Sequence, residues 1–131
     1  MLCACNDVPG PAAATPARDA VSPPPRPALL PPSDASDAAA SGGVLVLTPG
    51  CVRVRTADGR HLLPGFLIRP VRWDAAANRL QVRDRHFADG DRVALGGSEA
   101  GPGVVDGLWV VPPAPGCDFD AVWVTGAFEP G

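Results

Sequence analysis

Lysine and tyrosine are missing from this chain, and histidine is nearly so: 131 residues hold no Lys, no Tyr and two His. The shortage of histidine removes the commonest general base from most of the sequence. His61 follows an Asp-Gly turn and His86 stands in RDRHF before another, so both read as exposed turn residues. The missing lysine, with abundant Ala, Pro, Gly and Arg, reads as the codon bias of a GC-rich genome, which weakens any argument from arginine number alone. No run of 18 apolar residues occurs, which excludes a membrane-spanning helix in the sequence as written. Charge of one sign is also lacking: 11 arginines face 14 acids for a net −3, neither a nucleic-acid-binding excess nor an acidic tail. No G-x-S-x-G elbow, H-E-x-x-H pair or phosphate loop is found, and the glycines of ALGGSEAGPG lack the strand-to-helix context of a nucleotide fingerprint. DRHFADGD gathers Asp84, His86, Asp89 and Asp91, but without the spacing and closing glutamate of a calcium loop it reads as a solvated turn. The expectation is a protein that is not an enzyme and takes no metal and no cofactor.

What is there divides into two zones. Residues 8 to about 42 are almost entirely Pro, Ala, Ser and Asp, with no aromatic residue. Such a segment buries too little apolar surface to offset an ordering cost of roughly 1–2 kcal/mol per residue. Residues 1–42 are therefore expected to be a disordered tether with polyproline II character around Pro23, Pro24, Pro25 and Pro27. From Cys5 to Gly42 it would span on the order of 35 Å as a coil, enough to hold a small domain clear of a surface. PPPRP reads as part of that linker rather than as a docking motif.

Residues 43–131 form the expected domain. VLVLT is followed by a turn at Pro49 and Gly50, and CVRVRT alternates so that Val52 and Val54 share one face, Arg53 and Arg55 the other. Asp58-Gly59 suits a hairpin turn before HLLPGFLIRPV, where Pro64 argues for an edge or a bend. RLQVRD points Leu80 and Val82 inward, and DRVALGG does the same with Val93 and Leu95. A glycine-rich loop is expected from Gly96 to Gly107, then two last strands in DGLWVVPP and DAVWVTGAF. Six short strands without an amphipathic helix predict an all-β fold. A small closed or partly open barrel is preferred to a sandwich, because closure removes sheet edges in a domain with a thin core.

Four cysteines are present. Cys51 opens one expected strand and Cys117 precedes the last, so the fold can bring them together. A bridge would close a 66-residue loop and add about 4 kcal/mol in the chain-entropy model, and it would require an oxidising compartment. The alternative is two separate buried thiols.

The other two cysteines lie in the opening MLCACND. Leu2-Cys3-Ala4-Cys5 resembles the lipobox of bacterial lipoproteins, in which an aliphatic residue, a small residue and Ala or Gly precede a cysteine that is lipidated. The resemblance implies Cys5 as the lipidated first residue of the mature protein, a membrane partner reached through that anchor, and a periplasmic or outer-membrane address, with Asn6 after the cysteine favouring the outer membrane. It further implies that Met1 is a truncated start within a signal peptide, since only one residue precedes Leu2. If Met1 is the true start the protein is cytoplasmic and Cys3 and Cys5 form a C-x-C pair, whose spacing suits zinc poorly. The second zone resembles a loosely defined group of uncharacterised bacterial secreted or lipid-anchored β domains with OB-like barrels. The shared residues are Gly50-Cys51, Trp73-Asp74, the run from Gly90 to Gly97, and Cys117 ahead of VWV. This resemblance carries no catalytic residues and implies fold and compartment only; with an envelope address, an envelope protein or a glycan is the expected partner.

Arginines on the outward phase of the strands, Arg53, Arg55, Arg79 and Arg83 with Arg85 and Arg92, raise an alternative: a soluble OB-type module holding an anionic polymer on an arginine face. From residue 43 onward, however, nine arginines meet ten acids and no aromatic residues interleave with them, so nucleic acid is not the expected partner.

Overall fold

The structure, a computed structural model, describes residues 22–34 and 39–131. Its strands in chain order are β1 Ala28–Leu29, β2 Ala39–Thr48, β3 Cys51–Arg55, β4 His61–Phe66, β5 Val71–Asp74, β6 Arg79–Val82, β7 Arg85–Phe87, β8 Arg92–Ala100 and β9 Ala121–Pro130. The fold is all-β, with no helix among the described residues. Five strands close into a barrel in the order β2–β3–β4–β9–β8 and back to β2. Every neighbouring pair is antiparallel except β4 and β9, which run parallel from Leu62↔Ala121 to Phe66↔Thr125.

The alternating stretches behave as their periodicity dictates. Val52, Val54, Val93 and Leu95 are buried in the barrel, while Arg55 and Arg92 face solvent. Leu80 and Val82 are likewise buried, but on a separate three-stranded meander, β5–β6–β7, inserted between β4 and β8. Its apolar face joins the main core, with Val71, Leu80, Val82 and Phe87 packed among Leu45, Phe66, Leu95 and Phe128. Phe87 meets Phe128 edge-on with centroids 4.9 Å apart, an arrangement that adds about 0.5–1.5 kcal/mol beyond area burial.

The parallel pair explains the two stretches that do not alternate. HLLPGFL and AVWV are nearly continuous apolar runs because β4 and β9 are buried on both faces. Leu62, Phe66, Ala121 and Trp123 point into the barrel, and Leu63 and Val122 point outward into a second core. That second core also holds Leu67, Val105, Ala28 and Leu30, with Trp109, Cys117 and Phe119 at its margin. Pro64 stands where β3 has stopped pairing with β4, at Leu62, and β1 has not begun, at Gly65. Phe66 C=O accepts a bond from Leu30 N, so the nitrogen of Pro64, two residues earlier, faces that same gap. A residue without an N–H interrupts no ladder there.

Three expectations differ from the structure. The fold does not begin at residue 43: Ala28–Leu29 is strand β1 and Ala39–Gly42 is the start of β2, paired with Gly97 through Ala94. Ala28 and Leu30 supply apolar side chains to the second core, which a composition average over 35 residues hides. The glycine-rich loop begins only at Gly101, because Gly96 and Gly97 belong to β8. DGLWVVPP is a loop in which Val111 alone bridges to Leu29, its extension blocked by Pro112 and Pro113, which lack the N–H a ladder needs. The first 21 residues, with Cys3, Cys5 and the opening part of the expected tether, lie outside the described residues.

Candidate functional site

Chemistry-bearing side chains concentrate around the loop 101–120 and three shallow grooves on the barrel wall. A disulfide fixes the loop: Cys51, the first residue of β3, is bonded to Cys117, with Cα atoms 5.4 Å apart. Arg53, one of the arginines expected on a ligand face, instead reinforces this staple. Its Nη1 donates to Asp118 O at 3.0 Å and its Nη2 to Thr48 Oγ1 at 3.3 Å, while Nε is buried without a partner. Asp120 completes the attachment, its Oδ2 accepting from His61 N and its own N donating to His61 O, both at 2.8 Å. The end of the loop is thus bound to the β3–β4 wall by covalent, charge-assisted and main-chain bonds.

The other arginines expected on a ligand face are divided among three grooves. Arg79 lies on the meander and lines a groove of about 390 Å³ with Trp73, Leu47, Thr48, Asn78 and Asp89, closed on one side by Pro23 and Pro25. Asp89 is held there because its Oδ1 accepts from Leu47 N at 2.8 Å. Arg83 and Arg85 line a second groove of about 290 Å³ with Ile68 and Phe128, where Arg85 pairs with exposed Glu129 at 3.6 Å. Arg55 lines a third groove, also about 390 Å³, with Gly42, Gly43, Val44, Thr56 and Arg92. In register, Val44 stands opposite Arg55 on β3 and opposite Arg92 on β8, so the two arginines flank it on one face. Among the described residues neither has an ion-pair partner. Arg92 was in the outward-facing set by phase, but its pairing with Arg55 across β2 needed the strand order.

The two histidines occupy different places. His61 is half-buried at the start of β4, and exposed His86 on β7 places Nε2 3.3 Å from Asp74 Oδ2. Asp74 is held below its ordinary carboxylate range first by the Ala77 N–H and then by His86. Asp91 accepts from Ala88 N at 2.7 Å, so this carboxylate of the DRHFADGD stretch, like Asp89, is turned onto backbone. None of the three grooves is lined by histidine or cysteine. Their donors and acceptors are guanidinium, amide, hydroxyl and carboxylate groups beside one indole, a set suited to holding a ligand by stacking and hydrogen bonds.

No known family, curated protein or solved structure matches this chain. Function must therefore be argued from the barrel and its surface. The groove beside Trp73 stands out because its aromatic wall is a partly exposed indole, whereas Phe128 in the second groove is buried, and because the residues Pro23 and Pro25 that border it come from the segment expected to be tether. What sequence reasoning missed here is that segment: nothing in PPPRPALLPP alternates or carries charge in a pattern, and the only signal was the Ala-Leu-Leu interruption in a proline run.

Proposed function

We propose that this chain is a non-enzymatic envelope lipoprotein, anchored through Cys5, whose disulfide-stapled OB-like barrel serves a binding or structural role in the periplasm or at the outer membrane. The observation that carries the reading is the Cys51–Cys117 bridge joining the loop 101–120 to the barrel wall. A structural disulfide of this kind belongs to an oxidising compartment, and the Leu2-Cys3-Ala4-Cys5 lipobox supplies the means of attachment there. The OB-like description is supported by five strands closing in Greek-key order with the third and fifth barrel strands parallel, the meander standing between the third and fourth. The groove beside Trp73 favours an envelope glycan or an extended protein segment as ligand, since an indole face with amide and charged neighbours stacks and hydrogen-bonds such chains.

Attachment is tested in the native host by comparing the wild type with Cys5→Ser. The wild type is expected in the membrane fraction and the variant in the soluble fraction. Recovery of both from the soluble fraction would remove the anchor from the reading.

The unpaired arginines Arg55 and Arg92 favour a second reading, a soluble module holding an anionic polymer. Retention on heparin or single-stranded DNA that weakens linearly with log salt distinguishes it, since phosphate-type contacts release counterions.

A further inference from the structure

Residues 22–34 lie on the barrel as a peptide lies in a groove. β1 runs parallel to β4, with Ala28 opposite Gly65 and Leu29 opposite Phe66, and its other edge meets the loop 101–120. All four main-chain polar groups of Leu29 and Leu30 are bonded there. Leu29 N donates to Val111 O at 2.8 Å, and Leu29 O accepts from Val110 N at 2.9 Å and Val111 N at 3.1 Å. Leu30 N donates to Phe66 O at 3.0 Å, and Leu30 O accepts from Arg69 Nη2 at 2.5 Å. Ala28 and Leu30 fill the second core, and Gly65 makes the room: a Cβ at that position would lie 2.9 Å from Leu30 Cδ1 and 3.2 Å from the Trp109 ring. Pro27, Pro31 and Pro32 flank the three residues without an N–H to offer, and the next donor along, Ser33 N, reaches Leu67 O at 3.2 Å. Main-chain bonds with pockets for alternate side chains are the recognition mode of strand addition.

We propose that this groove takes residues 27–31 from a second copy of the chain, in reciprocal exchange for its own. The one peptide that the geometry shows to fit is this segment, and every copy carries it. The contacts are the same whether made within one chain or between two, so exchange loses none of them, and only effective concentration decides the partition.

Two full-length variants test this by complementation. Leu30→Asp disables the strand and leaves the groove, and Gly65→Val blocks the groove and leaves the strand. Each alone is expected to elute as a monomer of 13.4 kDa. An equimolar mixture is expected to yield a one-to-one complex of twice that mass, with amide protection regained at Val110 and Val111 of the Leu30→Asp chain. Leu30→Ala takes the place of Leu30→Asp if the aspartate prevents folding. A mixture that stays monomeric at the highest soluble concentration would overturn the proposal. So would capture of a synthetic peptide of residues 22–34 by the Leu30→Asp chain when the Gly65→Val chain is not captured, because the groove would then accept a strand but not another copy.

Discussion

At Gly97 the φ is +147°, and a Cβ built there would lie 1.8 Å from Val124 O, because β9 is bulged between Thr125 and Ala127 and its backbone closes on β8. Gly97→Ala is therefore expected to cost about 3 kcal/mol or more in urea unfolding, through strain and displacement of backbone that cannot yield. Gly59 is the control: its φ of +87° also disfavours a side chain, but nothing lies within 4 Å, so Gly59→Ala should cost only about 1 kcal/mol. The cysteines act through the unfolded chain. Replacing Cys51 and Cys117 together by alanine reopens a 66-residue loop and should lower stability by about 4 kcal/mol, read as a fall in Tm without change of fold.

Three carboxylates contribute to the acid dependence of stability. Glu99 is held below its ordinary value by the Arg60 guanidinium, whose Nη2 lies 2.8 Å from Oε2; Asp58 is held below by the Thr56 hydroxyl and Asp74 by the Ala77 N–H. A folded-state pKa below the unfolded one contributes stability that is present above the unfolded value and is lost as pH falls through the folded value. Stability should thus hold from neutral pH down to the ordinary carboxylate values of 3.8 and 4.5 and decline below them. Glu99→Gln should flatten part of that decline. Asp58 and Glu99 are exposed and Asp74 is half-buried, so salt should shrink the effect, most at the first two.

Among the elements, β1 separates what the sequence disclosed from what it did not. CVRVR, RLQV and DRVAL were readable because one face is buried and the other wet, which writes a period of two into the chain. β4 and β9 were recognisable as extended but not as a pair, since burial on both faces erases alternation and parallel pairing joins residues about 60 apart. β1 was hidden by its prolines, and the expectation that residues 22–34 are tether is corrected by the burial of Ala28 and Leu30. Leu30→Ala is accordingly expected to destabilise by about 2–4 kcal/mol in chemical denaturation, the cost of a core truncation; a tether residue would cost nothing. The Cys51–Cys117 pairing was legible because Cys51 opens a strand and Cys117 stands shortly before the last one. The arginines were legible in phase but not in place, because the strand order distributes Arg53, Arg55, Arg79 and Arg83 over a staple and three grooves. Arg55 and Arg92 share a groove without an acidic partner, whereas Arg85 beside Arg83 pairs with Glu129, so Arg55→Glu combined with Arg92→Glu should abolish any salt-sensitive retention on heparin, while Arg83→Glu leaves it unchanged.

At the scale of the molecule, five strands close a barrel, a meander adds its apolar face to the barrel core, and the loop 101–120 with residues 22–34 covers one wall. The first described segment is thereby part of the folded body, and the expected tether does not reach to Gly42. The decisive measurement is mass spectrometry, intact and after digestion without reduction, of the protein recovered from membrane and soluble fractions of its native host. An envelope lipoprotein gives a membrane-derived chain that begins at Cys5 with added acyl mass and contains a Cys51–Cys117 linked peptide. A chain that begins at unmodified Met1 with four free thiols would contradict both the anchor and the compartment.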